Sequence, residues 1–149
     1  MLSKHISLNE ATKSITAIRN GIDNIPSDAI VMQMKTLAEA CFEPLRAWYG
    51  KPIKVNSFYR SKELNAKIGG ASTSQHVKGQ AIDMDAGSES ENKKIFDWCK
   101  ANLKFDQLIA EGVSDEGYDW VHISFVQGHN RNETLYAKYG KGGKMIYSK

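Results

Sequence analysis

The chain carries only two cysteines and three prolines in 149 residues, and its charges nearly balance, with 20 Lys and Arg against 17 Asp and Glu. Two cysteines cannot build a disulfide framework, and Cys41 and Cys99 are far from CxxC spacing, which argues against a thiolate metal site. Each falls among apolar residues of an expected helix, so both are read as small buried hydrophobes. The net charge of +3 is spread along the chain apart from a loose basic tail at Lys138, Lys141, Lys144 and Lys149. Without a dense basic stripe, nucleic acid is not an expected partner. No apolar run is long enough to span a bilayer, so no membrane partner is expected either. Met1 to His5 lacks a basic stretch followed by an apolar run, and no signal peptide is visible. The expectation is a soluble, monomeric protein.

What is present suits one ordinary domain spanning residues 1–149. An apolar share of 41% with 25% charged residues supports a packed core and argues against disorder. Ser7-Leu8-Asn9-Glu10 has the form of a capping box and predicts a short helix through Ile15 and Ile18, stopping near Asn20-Gly21. Pro26-Ser27-Asp28 opens a longer helix with apolar residues at three- and four-residue spacing from Ile30 to Trp48. Pro44 inside it predicts a kink or a late turn. Ile53 to Phe58 reads as a strand, Ser61 to Ile68 as a short helix, Gln80 to Asp85 as a strand, and Ser90 to Leu103 as a helix. Phe105 to Ala110 and Asp119 to Val126 are further strands, and Thr134 to Tyr147 resembles a hairpin turning at Gly140-Lys141-Gly142-Gly143. Helices first, then strands mixed with helices, predict an α+β fold: a small, mostly antiparallel sheet with helices packed on one side.

The chemistry concentrates in Ser74-Gln75-His76-Val77-Lys78-Gly79-Gln80-Ala81-Ile82-Asp83 and in Asp119-Trp120-Val121-His122. Catalytic zinc takes three protein ligands from His, Asp or Glu and leaves a position open. His76, Asp83 and His122 have the right types, and Gly79 lets the backbone bend between the first two. A lone strand histidine is commonly a hydrogen-bonded core residue, whereas an inward aspartate between Ile82 and Met84 needs partners. The residues alone leave both readings open.

The pattern Ser-x-His-x-x-Gly-x-Ala-x-Asp at Ser74, His76, Gly79, Ala81 and Asp83 resembles the M15 family of zinc peptidases. The family includes D-alanyl-D-alanine carboxypeptidases, dipeptidases and phage endolysins. The likeness extends upstream to Ser57-Phe58-Tyr59-Arg60-Ser61 and Leu64-Asn65. Downstream it takes in Phe105-Asp106-Gln107-Leu108-Ile109 and Trp120 to Phe125. It implies the Hedgehog and DD-peptidase type of fold, and one zinc ion held by His76, Asp83 and His122. The implied activity is hydrolysis of peptide bonds in peptidoglycan stem peptides by zinc-activated water.

Asp119 takes the place of the family's general base, and Asp rather than Glu there leans toward an endopeptidase. Arg60 takes the place of an arginine near the scissile carbonyl, suited to holding a developing oxyanion. Positions three apart on a regular strand point to opposite faces, so Asp119 serves as base only if a turn or bulge at Gly117-Tyr118 re-aims it. Ser74 and Gln75 are candidates for hydrogen bonds to ligand or substrate, with Ser74 equally suited to shaping the turn. Glu111 is a candidate contact for the substrate's amino group, and Tyr59 and Trp120 are candidate cleft walls. The resemblance places the protein in a bacterial or phage setting, made in the cytoplasm and acting on the cell wall. The alternatives are a non-catalytic zinc-containing binding module of the same fold and a phage tail-associated wall hydrolase.

Overall fold

Serine caps set the N-terminal helices. A computed structural model describes residues 1–149. The Ser7 hydroxyl accepts from the Glu10 N–H and opens α1 (Leu8–Thr12), and the Ser14 hydroxyl accepts from the Ala17 N–H and opens α2 (Ile15–Arg19). One expected helix is therefore two, separated by extended backbone at Lys13 (φ −69°, ψ 132°). The carbonyls that would carry α1 onward are taken by distant donors: Tyr59 N–H binds the Ala11 carbonyl and Asn24 Nδ2 the Thr12 carbonyl. With its last turn satisfied from outside, the helix stops.

Helix α3 (Asp28–Leu37) passes through a π turn (Ala38–Phe42) into α4 (Glu43–Tyr49). Pro44 has no N–H to give, and the wider turn just before it, closed by Glu43 N–H on the Ala38 carbonyl, lets the helix run on. The expected irregularity at Pro44 takes this form. Gly50, in the left-handed region at φ 73°, ends the helix.

The rest of the chain builds one sheet. Its strands are β1 (Lys54–Ser57), β2 (Ala81–Asp85), β3 (Gln107–Glu111), β4 (Trp120–Ser124), β5 (Glu133–Tyr139) and β6 (Met145–Ser148), with α5 (Lys62–Lys67) and α6 (Glu89–Asn102) between them. The order is β1-β2-β4-β3-β5-β6, antiparallel except for the parallel pair β3–β5.

Alternation along the strands divides the sheet into two faces. Val55, Ile82, Met84, Leu108, Ala110, Val121 and Ile123 are buried on one face. There they join Leu37, Phe42 and Leu45 from the α3–α4 segment, and Ile95, Phe96 and Cys99 from α6. Each such side chain contributes about 1.5–3 kcal/mol by leaving water. Helices thus cover one side of a mostly antiparallel sheet, the α+β arrangement expected from the element order. The cysteines are free and buried. Burial pushes the Cys41 thiol up to about 12 and raises Cys99 as well, so neither offers a thiolate near neutral pH. The opposite sheet face carries the polar residues.

Candidate metal centre and its cleft

Strand register assembles the centre. β2 and β4 pair so that Asp83 lies opposite His122, β1 brings Ser57 to Asp83, and β3 sets Ile109 beside His122. Directly opposed residues on one face have Cβ atoms about 4.5–5.5 Å apart, so pairing alone puts the carboxylate against the imidazole. His76 arrives from a 3-10 turn (Gln75–Lys78), which Ser74 caps by accepting the His76 N–H at 3.3 Å. Gly79 closes that turn at φ 69°, where a Cβ would meet Met34 at 2.8 Å and Ile30 at 2.9 Å. Only glycine satisfies both the backbone angle and the space.

His76 Nε2 stands 3.2 Å from Asp83 Oδ2, and His122 Nδ1 stands 3.0 Å from Asp83 Oδ1. His76 Nδ1 lies 2.8 Å from the Phe58 carbonyl. A carbonyl can only accept, so Nδ1 donates there and Nε2 is the nitrogen turned toward Asp83. Orientation of a ligating histidine through its other ring nitrogen is the usual second-sphere arrangement of metal sites.

Zinc bonds of about 2.0–2.2 Å put neighbouring tetrahedral ligands about 3.3–3.6 Å apart, and each imidazole approaches one oxygen of Asp83 at a slightly shorter distance, 3.2 and 3.0 Å. The three donor atoms lie within 4.8 Å of one another, so their spacing and chemistry fit zinc. Burial tends to raise the Asp83 carboxyl, but the imidazoles of His76 and then His122 more than offset this and hold it well below the usual carboxylate range.

The three donors sit in a cleft of about 730 Å³, lined also by Arg60, Ser74, Gln75, Glu111 and Trp120. Arg60 is pinned by three bonds: Nε to Ser57 Oγ at 3.1 Å, Nη1 to Asn65 Oδ1 at 3.2 Å and Nη2 to Asp83 Oδ2 at 3.5 Å. Asn65 is itself fixed by donating to the Ala71 carbonyl at 2.8 Å. Glu111 is 6% exposed. Burial pushes its carboxyl up to about 7; Asp83 adds to the rise and His122 opposes it.

This shift has a consequence for the metal-free protein. Protonated Glu111 contributes its full share of stability below its ordinary value of 4.5, and that share is lost as pH rises through about 7. Ionised Glu111 therefore burdens the metal-free fold at pH 8. Glu111→Gln is expected to stabilise metal-free protein at pH 8 by on the order of 2 kcal/mol and to change little at pH 4. Denaturant midpoints at the two pH values measure the difference.

Asp119 and Tyr59 are not among the residues that line this cleft. The β3–β4 ladder stays in register through Glu111 and Trp120, and the Asp119 N–H still donates to the Glu111 carbonyl at 2.8 Å. The Asp119 Oδ2 accepts from the Tyr139 hydroxyl at 2.9 Å. Asp119 is a bend residue immediately ahead of β4, after the turn closed by the Ser114–Gly117 bridge. The turn that the sequence set as its condition is therefore present, while its carboxylate is engaged by Tyr139 and lies outside the cleft lining. Tyr59, buried at 8% exposure, borders a separate groove between α1–α2 and β1.

Other cleft residues had no mark in the residue pattern. Arg131, Leu135, Met145 and Tyr147 come from the chain beyond β4 and form a wall. Arg131 is held by Asp106, with Nε 2.8 Å from Oδ1 and Nη2 2.9 Å from Oδ2, while its backbone N–H donates to Oδ1 at 3.1 Å. Gln75 Nε2 donates to Asp106 Oδ2 at 2.9 Å, tying the turn that carries His76 to the same carboxylate. The hydrogen bond from Arg131, helped by Gln75 and opposed by burial, holds Asp106 down at about 2. Asp106 belongs to the Phe105-Asp106-Gln107 motif. Its partner Arg131 lies 25 residues further on, beyond the reach of local pattern.

Two imidazoles and one carboxylate in an open cleft have the ligand count of a catalytic rather than a structural zinc site. The sequence model of the family described as Peptidase M15 matches residues 4–124. The chain belongs to this family. A 39-residue stretch is 51% identical to the zinc D-Ala-D-Ala carboxypeptidase of Streptomyces albus G, covering 26% of this chain but only 15% of that protein. No helix is long and apolar enough to cross a membrane.

Proposed function

We propose that the protein is a zinc peptidase that hydrolyses peptide bonds in the stem peptides of bacterial peptidoglycan, with zinc held by His76, Asp83 and His122. The observation that carries the ligand set is the mutual approach of the three donors, with His76 Nε2 turned toward Asp83 and Nδ1 held by the Phe58 carbonyl. Bound there, zinc supplies a Lewis acid for the scissile carbonyl and makes water acidic near neutral pH. The reading of the substrate draws support from the family and from the D-Ala-D-Ala peptide in the name of the Streptomyces albus G relative.

The chain's own residues supply the remaining chemistry. Arg60, locked by Ser57, Asn65 and Asp83, offers a fixed cation to the carbonyl oxygen as it gains negative charge. Glu111 is the carboxylate that handles protons: it takes one from the attacking water and returns it to the departing amine, ending ionised as it began. Its burial in the cleft and its raised pKa support this role over Asp119, whose carboxylate is engaged by Tyr139. Trp120 flanks the centre two residues before His122 on the same face of β4, and Ser74 and Gln75 hold the turn that delivers His76.

Purified cell walls, digested and separated by mass spectrometry, test this reading. New peptide termini are expected in the muropeptides, abolished by a chelator and restored by zinc. Intact walls after prolonged digestion by zinc-loaded protein would overturn the substrate assignment.

A further inference from the structure

The cleft holds two cations of different standing. Arg60 spends all three guanidinium nitrogens on Ser57, Asn65 and Asp83. Arg131 spends Nε and Nη2 on Asp106, and its Nη1 has no partner in the protein. The Arg131 side chain is 55% exposed while Asp106 is 5% exposed, so the anchor is buried and the far edge of the guanidinium meets solvent in the cleft. Asp106 is fixed from several sides, by Gln75 Nε2, by the Arg131 backbone N–H, and by its own N–H on the Ser124 carbonyl at 2.8 Å. An arginine fastened along one edge with a free donor on another is preorganised for a second planar acceptor, because little rotamer freedom remains to be lost.

We propose that Arg131 is a specificity-determining residue that binds a free carboxylate of the peptide substrate. This rests on the peptide reading above. The wall around it suits such a ligand: Leu135, Met145 and Tyr147 line the same cleft and offer apolar surface beside the cation. The family match ends at residue 124, so this wall comes from the segment after it. A carboxylate seated on Arg131 fixes the direction in which a peptide lies across the centre. The carboxylate can be the C-terminal one or that of an acidic side chain, and both present the same two oxygens.

Equilibrium binding to zinc-loaded protein tests this independently of whether walls are cleaved. The probes are acylated stem-type peptides in three forms: both carboxylates free, the C-terminal one amidated, or the side-chain one amidated. One amidated form is expected to bind about tenfold or more weakly than the free acid, and which one identifies the source. A larger factor is not expected at a half-exposed cation, where water screens the pair. Arg131→Gln is expected to bring acid and amide to similar affinity. Arg131→Lys keeps the charge but not the fork, and is expected to retain part of the preference. A merely structural role for Arg131 would weaken acid and amide alike and leave their ratio unchanged, which overturns the proposal. Equal affinity of all three peptides for the parent protein, or no binding of the free acid, overturns it too. If walls are not cleaved but the acid preference depends on Arg131, the substrate assignment fails and this inference stands.

Discussion

His122→Ala protein is expected to lose peptidase activity by roughly 10³-fold or more, and excess zinc is expected to restore little of it. The loss follows from where His122 sits. Its neighbours Val121 and Ile123 face the core and are fully buried, while His122 faces the cleft, so the substitution removes a donor without opening a core cavity. Asp83→Asn is the companion test. It keeps the size of the side chain but removes the charge that both imidazoles approach at 3.0 and 3.2 Å. Zinc affinity is expected to fall by about 10²-fold or more in either variant. Activity and bound zinc, measured on the same preparations, should fall together. Activity lost with zinc affinity intact would assign His122 to another role.

Glu111→Gln is expected to reduce kcat by about 10² to 10⁴-fold while leaving zinc content near the parent level. Asp119→Asn is expected to lose far less, because its carboxylate accepts from Tyr139 at the end of the sheet and does not line the cleft. The pH profile separates the two carboxylates further. Glu111 must be ionised to accept a proton, so kcat/KM of the parent should fall on the acid side. Its carboxyl stands at about 7 without metal, and a zinc cation nearby moves that limb lower. The limb should be absent from the residual activity of Glu111→Gln and present in Asp119→Asn. The opposite pattern, with Asp119→Asn the crippled variant, would return the base to Asp119.

These expectations show how far residue order carries. His76, Asp83 and His122 were legible as candidates because their types suit a metal, an aspartate between Ile82 and Met84 needs buried partners, and the family-like pattern marks all three, which the fold then brings together. Alternation along β2 set Asp83 on one face of the sheet, and the β2–β4 pairing brings it to His122.

Two kinds of information were out of reach. The split of the first helix into α1 and α2 depends on Asn24 and Tyr59 capturing carbonyls from a distance. The surroundings of Asp119 depend on Tyr139, 20 residues further on, whose hydroxyl its carboxylate accepts from. Arg131 was hidden for a similar reason, because its importance lies in Asp106 and Gln75, neither of them close in sequence. Residues whose role is intrinsic to their chemistry were visible, and those whose role is conferred by long-range pairing were not.

The central claim is that His76, Asp83 and His122 hold one zinc ion. X-ray absorption at the zinc edge, on protein reconstituted with one equivalent, tests it most directly. The expected spectrum shows two imidazole nitrogens and carboxylate oxygen at about 2.0–2.2 Å with no sulfur, and it loses one imidazole in His122→Ala. A spectrum that keeps both imidazoles in His122→Ala, or one that contains sulfur, would contradict the account.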